Sequence, residues 1–274
     1  MKCNVITLAA AVMTFAAILN PTLACASSEG DNQVTHPWAG ARVAYLGDSI
    51  TDVNVLRNDT HYWGFLHEWL GITPYVYGKS GHQWHQIFGQ MERLRNEHGN
   101  DFDAIMVFLG TNDFNAGVPI GEWFTEEKVT VNADGNMVER TRRMPSFDMG
   151  TFRGRLNTAL DSLKRMYPSK QIVLLTPIHR AYAKFSEKNV QPDESHCNSC
   201  GEYVDAYVES IKEASGIWSV PVIDLYSLSG LFPMHEEQAE YFPGGNDWLH
   251  PDADGHRRIA KCIFYQLLTL PCQL

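Results

Sequence analysis

Three side chains near the two ends of this chain could do chemistry together that none does alone. Gly47-Asp48-Ser49-Ile50 places a serine directly after the apolar run Ala41 to Leu46. Far downstream, Asp247-Trp248-Leu249-His250-Pro251 offers a carboxylate and an imidazole three residues apart. A serine hydroxyl becomes a nucleophile when a base takes its proton, and that base needs an acid to fix its tautomer. The Asp247–His250 spacing lets one tight turn position both groups. Ser49, His250 and Asp247 are therefore a complete set for acyl transfer through a covalent acyl-enzyme, if the fold brings them together. Each segment also has a plainer reading. Ser49 could be a turn or helix N-cap serine, and Asp-x-x-His-Pro could be a surface loop whose aspartate caps the next helix.

Two further segments supply what such a set needs. Gly110-Thr111-Asn112-Asp113 directly follows the apolar run ending at Leu109, and Gly78-Lys79-Ser80-Gly81 follows Tyr75-Val76-Tyr77. An asparagine amide at a strand end is a ready donor to a developing oxyanion, each such donor being worth roughly 2.7–4 kcal/mol in the transition state. A glycine can offer its N–H close to substrate with no side chain in the way. The Gly-x-Ser-x-Gly elbow of the common α/β-hydrolases is absent.

The elements that must position these residues alternate regularly. Apolar, β-branched or aromatic runs at 41–46, 74–78, 103–109, 171–176 and 219–224 predict strands. Between them, helical spacing of apolar residues predicts helices over 62–70, 85–98, 151–167, 203–214 and 253–268. Strands alternating with helices predict an α/β fold with a parallel sheet, whose sites form at the carboxyl ends of the strands. Residues 114–150 contain a hairpin signal, with Asn132-Ala-Asp-Gly-Asn136 between two extended runs, and 177–200 read as a polar loop. Both segments leave the ends of predicted strands and are expected to overhang the functional face.

Four short blocks in this order, three of them at strand ends, resemble the SGNH (GDSL-type) hydrolase superfamily, named for its Ser, Gly, Asn and His. The resemblance runs from Ala41 to about Leu268. It implies a three-layer α/β/α sandwich, flavodoxin-like, with a five-stranded parallel sheet in the order 2-1-3-4-5, here with an inserted hairpin. It implies Ser49 as nucleophile and as one oxyanion donor through its N–H, with Gly81 and Asn112 as the other donors. His250 would be the base and Asp247 its orienting acid. Asp48 and Asp113 would tie their own loops. No cofactor and no metal is implied.

Other residues carry two readings. His82, Trp84 and His85 crowd behind Gly81; they either begin the next helix, with Trp84 in the core, or His82 and Trp84 line the substrate pocket. His61, Tyr62 and Trp63 share that ambiguity. His179 and Arg180 follow the fourth strand and are either polar loop residues or substrate contacts.

The start of the chain reads as a secretory signal over 1–24: Lys2, an apolar run from Val5 to Leu19, then Ala24-Cys25-Ala26. Thr22-Leu23-Ala24-Cys25 also resembles a lipoprotein box, so the exported product is either soluble or lipid-anchored at Cys25. Residues 25–40 would form a tether, and 41–274 the hydrolase domain. Export permits disulfides, and the simplest pairing is Cys197 with Cys200 and Cys262 with Cys272; free thiols or half a zinc site are the other readings. Without the leader, which carries Lys2 and no acid, the charge is 21 − 32 = −11. An acidic surface argues against nucleic acid and anionic membrane surfaces as partners.

The expected activity is a serine esterase acting on a short acyl ester of a carbohydrate, in the cell envelope or outside the cell. A lipase, lysophospholipase or thioesterase is the alternative, with Trp123, Phe124 and the 114–150 hairpin forming an acyl groove. A glycan-binding module without catalysis is the reading from a different class.

Overall fold

The computed structural model describes residues 35–55, 60–270, 272 and 274. The predicted leader, the lipidation site Cys25 and the first part of the tether lie outside the described residues.

The elements, in chain order, are β1 (Arg42–Gly47), α1 (Tyr62–Leu70), β2 (Thr73–Val76), α2 (Ile87–His98), β3 (Ala104–Phe108), α3 (Thr111–Asn115), β4 (Phe124–Ala133), β5 (Asn136–Pro145), α4 (Phe152–Met166), β6 (Gln171–Leu175), β7 (Ala183–Ser186), β8 (Asn189–Gln191), α5 (Val204–Trp218), β9 (Val222–Ile223), α6 (Leu225–Leu228) and α7 (Ala253–Leu267). The central sheet runs β2-β1-β3-β6-β9, all parallel. Leaving out the strands of the two hairpins, this is the order 2-1-3-4-5.

The inner strands β3 and β6 are buried at every residue, because helices cover both faces of a parallel sheet. Side chains alternate between two cores. On one face Ala44, Leu46, Ile105, Val107, Ile172 and Leu174 meet the apolar stripes of α2, α4 and α5. On the other, Val43, Tyr45, Met106, Phe108, Val173 and Leu175 meet α1 and α7. Trp38, placed in the tether by sequence, is fully buried in that second core, so the folded body begins before Ala41.

The last strand is shorter than the predicted 219–224. Ser219 adopts a left-handed conformation (φ 51°) that ends α5, and Pro221 has no N–H to give the ladder. Helix α5 takes up the slack, running to Trp218 rather than 214. The inserted hairpin is longer than its turn signal suggested: β4 and β5 pair over ten rungs from Phe124↔Pro145 to Ala133↔Asn136. The 177–200 segment, read as a polar loop, contains a second small hairpin, β7–β8. Cys197, Cys200, Cys262 and Cys272 are all free, so the expected pairings are not present.

Register explains why the functional loops converge. Gly47 of β1 sits opposite Phe108 of β3, and Phe108 opposite Leu175 of β6. These three strands end in one row. Ser49 lies two residues past its strand and Asn112 four residues past the next.

Candidate active site

The turn that carries Ser49 is built from small residues under tight constraint. A Cβ on Gly47 would collide with Thr51 Oγ1, and one on Gly78 would lie 2.9 Å from the Thr51 backbone carbonyl carbon. Glycine at 47 lets the turn after β1 close on itself, and glycine at 78 lets the loop after β2 press against that turn. Past Gly47 the chain makes one helical turn, with the N–H groups of Thr51 and Asp52 donating to the Asp48 carbonyl at 3.1 and 3.0 Å. Ser49 sits on this turn, 7 % exposed.

The loop before α7 presents His250. Asp247 Oδ1 accepts the N–H groups of Leu249 (3.1 Å) and His250 (3.0 Å), which closes a tight turn. Its other oxygen, Oδ2, lies 3.0 Å from His250 Nδ1, and His250 Nε2 lies 2.8 Å from Ser49 Oγ. Burial pushes the Asp247 carboxyl up, but the hydrogen bonds from His250 and its backbone outweigh it and hold the group below the ordinary value. Asp247 is thus an anion aimed at the imidazole. The continuous line carboxylate–imidazole–hydroxyl can draw the proton off Ser49.

The two remaining blocks meet at the same turn. Asn112, in the first turn of α3, donates from Nδ2 to the His82 carbonyl at 3.1 Å and to Asp48 Oδ2 at 3.4 Å. One amide therefore touches the residue next to Ser49 and the residue next to Gly81. Gly81 has φ +79° and faces open space, so its turn needs glycine for conformation rather than for room. Asp52 anchors that turn by accepting the Ser80 N–H at 2.9 Å. Burial raises the Asp52 carboxyl, yet the Ser80 and Asn54 N–H donors prevail and its pKa falls below the usual value.

Asp48 and Asp113 hold their loops in the expected way. Asp48 Oδ1 accepts the Ile50 N–H at 3.1 Å. Complete burial pushes its carboxyl up to about 7, against the pull of that N–H and of His250. Asp113 accepts the Trp84 N–H (3.0 Å) on one oxygen and Arg155 Nη1 (2.8 Å) on the other. Burial raises it to about 6, with Arg155 opposing the shift.

The substrate-contact readings divide. His82 is partly exposed beside Gly81, its Nδ1 2.9 Å from Gln90 Nε2. Trp84 is completely buried in the core between α2 and α4 and presents nothing to a substrate. His61 is buried, stacked on Trp63 at 5.1 Å. Tyr62 and Trp63 hold the Ser49 loop from behind: Tyr62 OH bonds Thr51 Oγ1, and Trp63 Nε1 donates to the Thr51 carbonyl, both at 3.1 Å. His179 is engaged by Glu194 Oε1 (2.6 Å) and ringed by Tyr226 and Phe232. Arg180 is buried at 1 % exposure and spends its guanidinium on Asn115, Thr111 and Gln191, so it too is structural. Burial pushes its pKa down to about 10.

Trp123 and Phe124 do not open toward the nucleophile. They line a cleft of about 580 Å³ with Arg143, Glu213, Ile217 and Trp218, and no residue of the Ser49–His250–Asp247 set lines it. A much smaller cavity of about 10 Å³, lined by Asp48, Ile50, Phe108, Leu109, Thr111, Pro177, Ile178 and Leu249, lies against the residues flanking Ser49.

Sequence reading missed Gln90, Asp52, Arg155 and Phe185. Gln90 left a signal: it falls on the buried stripe of α2 with Ile87, Met91 and Leu94, where a polar side chain must have an internal partner. Phe185 left none, since its place depends on a hairpin the sequence did not announce.

Comparison with known proteins gives the same frame. The profile of the GDSL-like Lipase/Acylhydrolase family matches residues 45–258. No curated protein matches the chain. Among solved structures, it resembles a protein from Lactobacillus plantarum at 25% identity (TM-score 0.65; 84% of this chain, 98% of that one). It also resembles a possible lipase from Chitinophaga pinensis at 21% identity (TM-score 0.61; 84% and 100%). An acetyl xylan esterase from Geobacillus stearothermophilus shares the fold at 17% identity (TM-score 0.51; 84% and 95%). A profile that takes in the end of β1, the Ser49 turn, the Asn112 helix and the His250 loop leaves one assignment: the chain belongs to the GDSL-like lipase/acylhydrolase family and is a carboxylic ester hydrolase.

Proposed function

We propose that the protein is a serine esterase that cleaves a short acyl ester, acetyl first, of a carbohydrate through an acyl-enzyme on Ser49. The observation that carries the catalytic part is the line Asp247 Oδ2–His250 Nδ1 (3.0 Å) and His250 Nε2–Ser49 Oγ (2.8 Å). Ser49 Oγ attacks the acyl carbonyl carbon while His250 Nε2 takes its proton. The carbonyl electrons move onto oxygen, where the N–H groups of Ser49 and Gly81 and the Asn112 amide receive them. The Asn112 hydrogen toward Asp48 is the one to spare, because a 3.4 Å contact is weak. Collapse breaks the ester C–O bond, and His250 returns its proton to the leaving alkoxide. A water then gives a proton to His250 and attacks the acyl carbon; collapse breaks the bond from that carbon to Ser49 Oγ, the acid leaves, and His250 gives the proton back to Ser49 Oγ.

Short acyl groups are preferred because the aromatic cleft at the inserted hairpin, the groove a long acyl chain would need, is lined by none of Ser49, Asp247 and His250. The carbohydrate part rests on the acidic surface, the predicted export, and a shared fold with an esterase of acetylated xylan. The reading extends to an exported enzyme, soluble or held by lipid at Cys25, which the intact mass of membrane-fraction protein distinguishes.

The test is Ser49→Ala assayed on p-nitrophenyl acetate, followed by an acyl series on the native enzyme and release of acetate from acetylated xylan. Full activity of the folded variant would sink the acyl-enzyme. A rate maximum at eight or more carbons would replace the short-chain reading with a lipase.

A further inference from the structure

We infer that Phe185, on the small hairpin β7–β8, is the platform that receives the alcohol part of the ester and selects alcohols with a ring. Its position is not incidental. The segment before it zips antiparallel onto the loop of the base: the Ala181 N–H donates to the Trp248 carbonyl (3.0 Å), the Trp248 N–H to the Tyr182 carbonyl (3.0 Å), and the Lys184 N–H to the Asn246 carbonyl (2.7 Å). Ala183 and Asp247 form a β-bridge. The far strand of the hairpin is tied to the other side of the site, where Gln191 Oε1 accepts from Asn115 Nδ2 (2.7 Å) and Arg180 Nη2 (2.9 Å). Asn115 closes the same short helix that carries Asn112. The hairpin thus spans from the base loop to the oxyanion helix, and its geometry cannot drift without moving one of them.

On this fixed frame the Phe185 ring lies 5.2 Å from the His250 ring, tilted by 55°. It remains 44 % exposed, although burial would be the ordinary fate of a phenylalanine. The proposal rests on the acyl-enzyme reading above: His250 hands its proton to the leaving alkoxide, so the alcohol must sit beside that imidazole. A half-exposed aromatic face at this spot offers a flat apolar surface to the alcohol. A pyranose or cyclohexyl ring can lay its C–H face there, while an ethyl group is too small to cover it.

The experiment compares three acetates that share one acyl group: ethyl acetate, cyclohexyl acetate and a monoacetylated methyl xyloside. With Phe185→Ala, kcat/KM should fall roughly two- to tenfold further on the two ring esters than on ethyl acetate. Phe185→Trp should keep the preference. Equal losses on all three would mean that Phe185 acts on His250 rather than on the alcohol, and would overturn the proposal, as would unchanged rates on the ring esters. A native enzyme that turns over cyclohexyl acetate through Phe185 but ignores the xyloside would uphold the platform and overturn the carbohydrate reading instead. Turnover retained by folded Ser49→Ala would remove the mechanism beneath both.

Discussion

Gln90 grips the peptide of Gly47 from both sides: its Oε1 accepts the Gly47 N–H and its Nε2 donates to the Gly47 carbonyl, each at 2.8 Å. Because the backbone N–H fixes which end of the carboxamide is oxygen, the second Nε2 hydrogen must point at His82 Nδ1, 2.9 Å away. His82 Nδ1 is then an acceptor and its proton resides on Nε2. Burial, with Lys79 and His85 adding, also lowers the His82 pKa, in keeping with a neutral ring. One helix side chain therefore sets the end of β1 and the tautomer of a histidine beside the Gly81 turn.

Replacing Gln90 with leucine should test that linkage. The Gly47 N–H and carbonyl lose a buried partner, which costs about 1–3 kcal/mol. Urea unfolding should show that loss in the midpoint. Activity on p-nitrophenyl acetate should drop further than stability predicts, because the nucleophile turn and the His82 ring are both released. A variant with native stability and native rate would show that Gln90 merely fills space.

The Asp247 carboxylate fixes the His250 tautomer and also closes the turn that carries it. Asp247→Asn keeps the shape and the backbone acceptor but removes the charge facing Nδ1. A fall in kcat of roughly 10⁴ is expected, by analogy with other Ser-His-Asp sets, with little change in thermal midpoint. A loss under tenfold would mean that His250 is oriented by something else.

Asp48 gives a pH dependence whose sign follows from its burial. An unfolded aspartate titrates near pH 3.9, whereas the folded Asp48 carboxyl is pushed up to about 7. Between these values the folded chain holds a proton that the unfolded chain has lost. Stability therefore declines as pH rises from about 4 to about 7. Asp113, raised to about 6, adds the same trend over the lower part of that window. Asp48→Asn should flatten the decline between pH 4 and pH 7 in thermal melts, leaving only the Asp113 share. An identical slope in both proteins would place the titration elsewhere.

Gly78 and Gly81 look alike in sequence but should respond differently to alanine. At Gly78 the new Cβ would sit 2.9 Å from the Thr51 backbone, so the two loops must separate and both stability and turnover should suffer. At Gly81 nothing lies within 4 Å, and the cost is the left-handed conformation alone, about 1–2 kcal/mol. Gly81→Ala should fold with a modestly lower melting temperature and keep measurable turnover, since the N–H is retained. Equal damage from both substitutions would contradict the open space seen at Gly81.

Much of this was legible in the residues. Strand and helix runs of opposite period marked the βα alternation because covered parallel strands are apolar throughout and their helices carry a single apolar stripe. That Ser49, Asp247 and His250 would meet was legible in part, because a serine just past a strand and an Asp-x-x-His turn are the groups such a line needs. Trp84 was ambiguous: an indole beside a site glycine reads equally as wall or as core, and only packing between α2 and α4 decided for core.

By itself, then, the sequence determined the strands and covering helices of the central sheet and the chemical groups, since both follow from local periodicity and side-chain type. Tertiary structure decided what depends on register and on contacts between distant segments. It aligned Gly47, Phe108 and Leu175 in one row, and so brought a serine and a histidine 201 positions apart to 2.8 Å. It turned Gln90 inward to Gly47 and zipped the 183–191 hairpin onto the Asp247 loop, placing Phe185 against His250. No local pattern encodes those pairings, because each partner is satisfied only by a group that folding delivers from elsewhere.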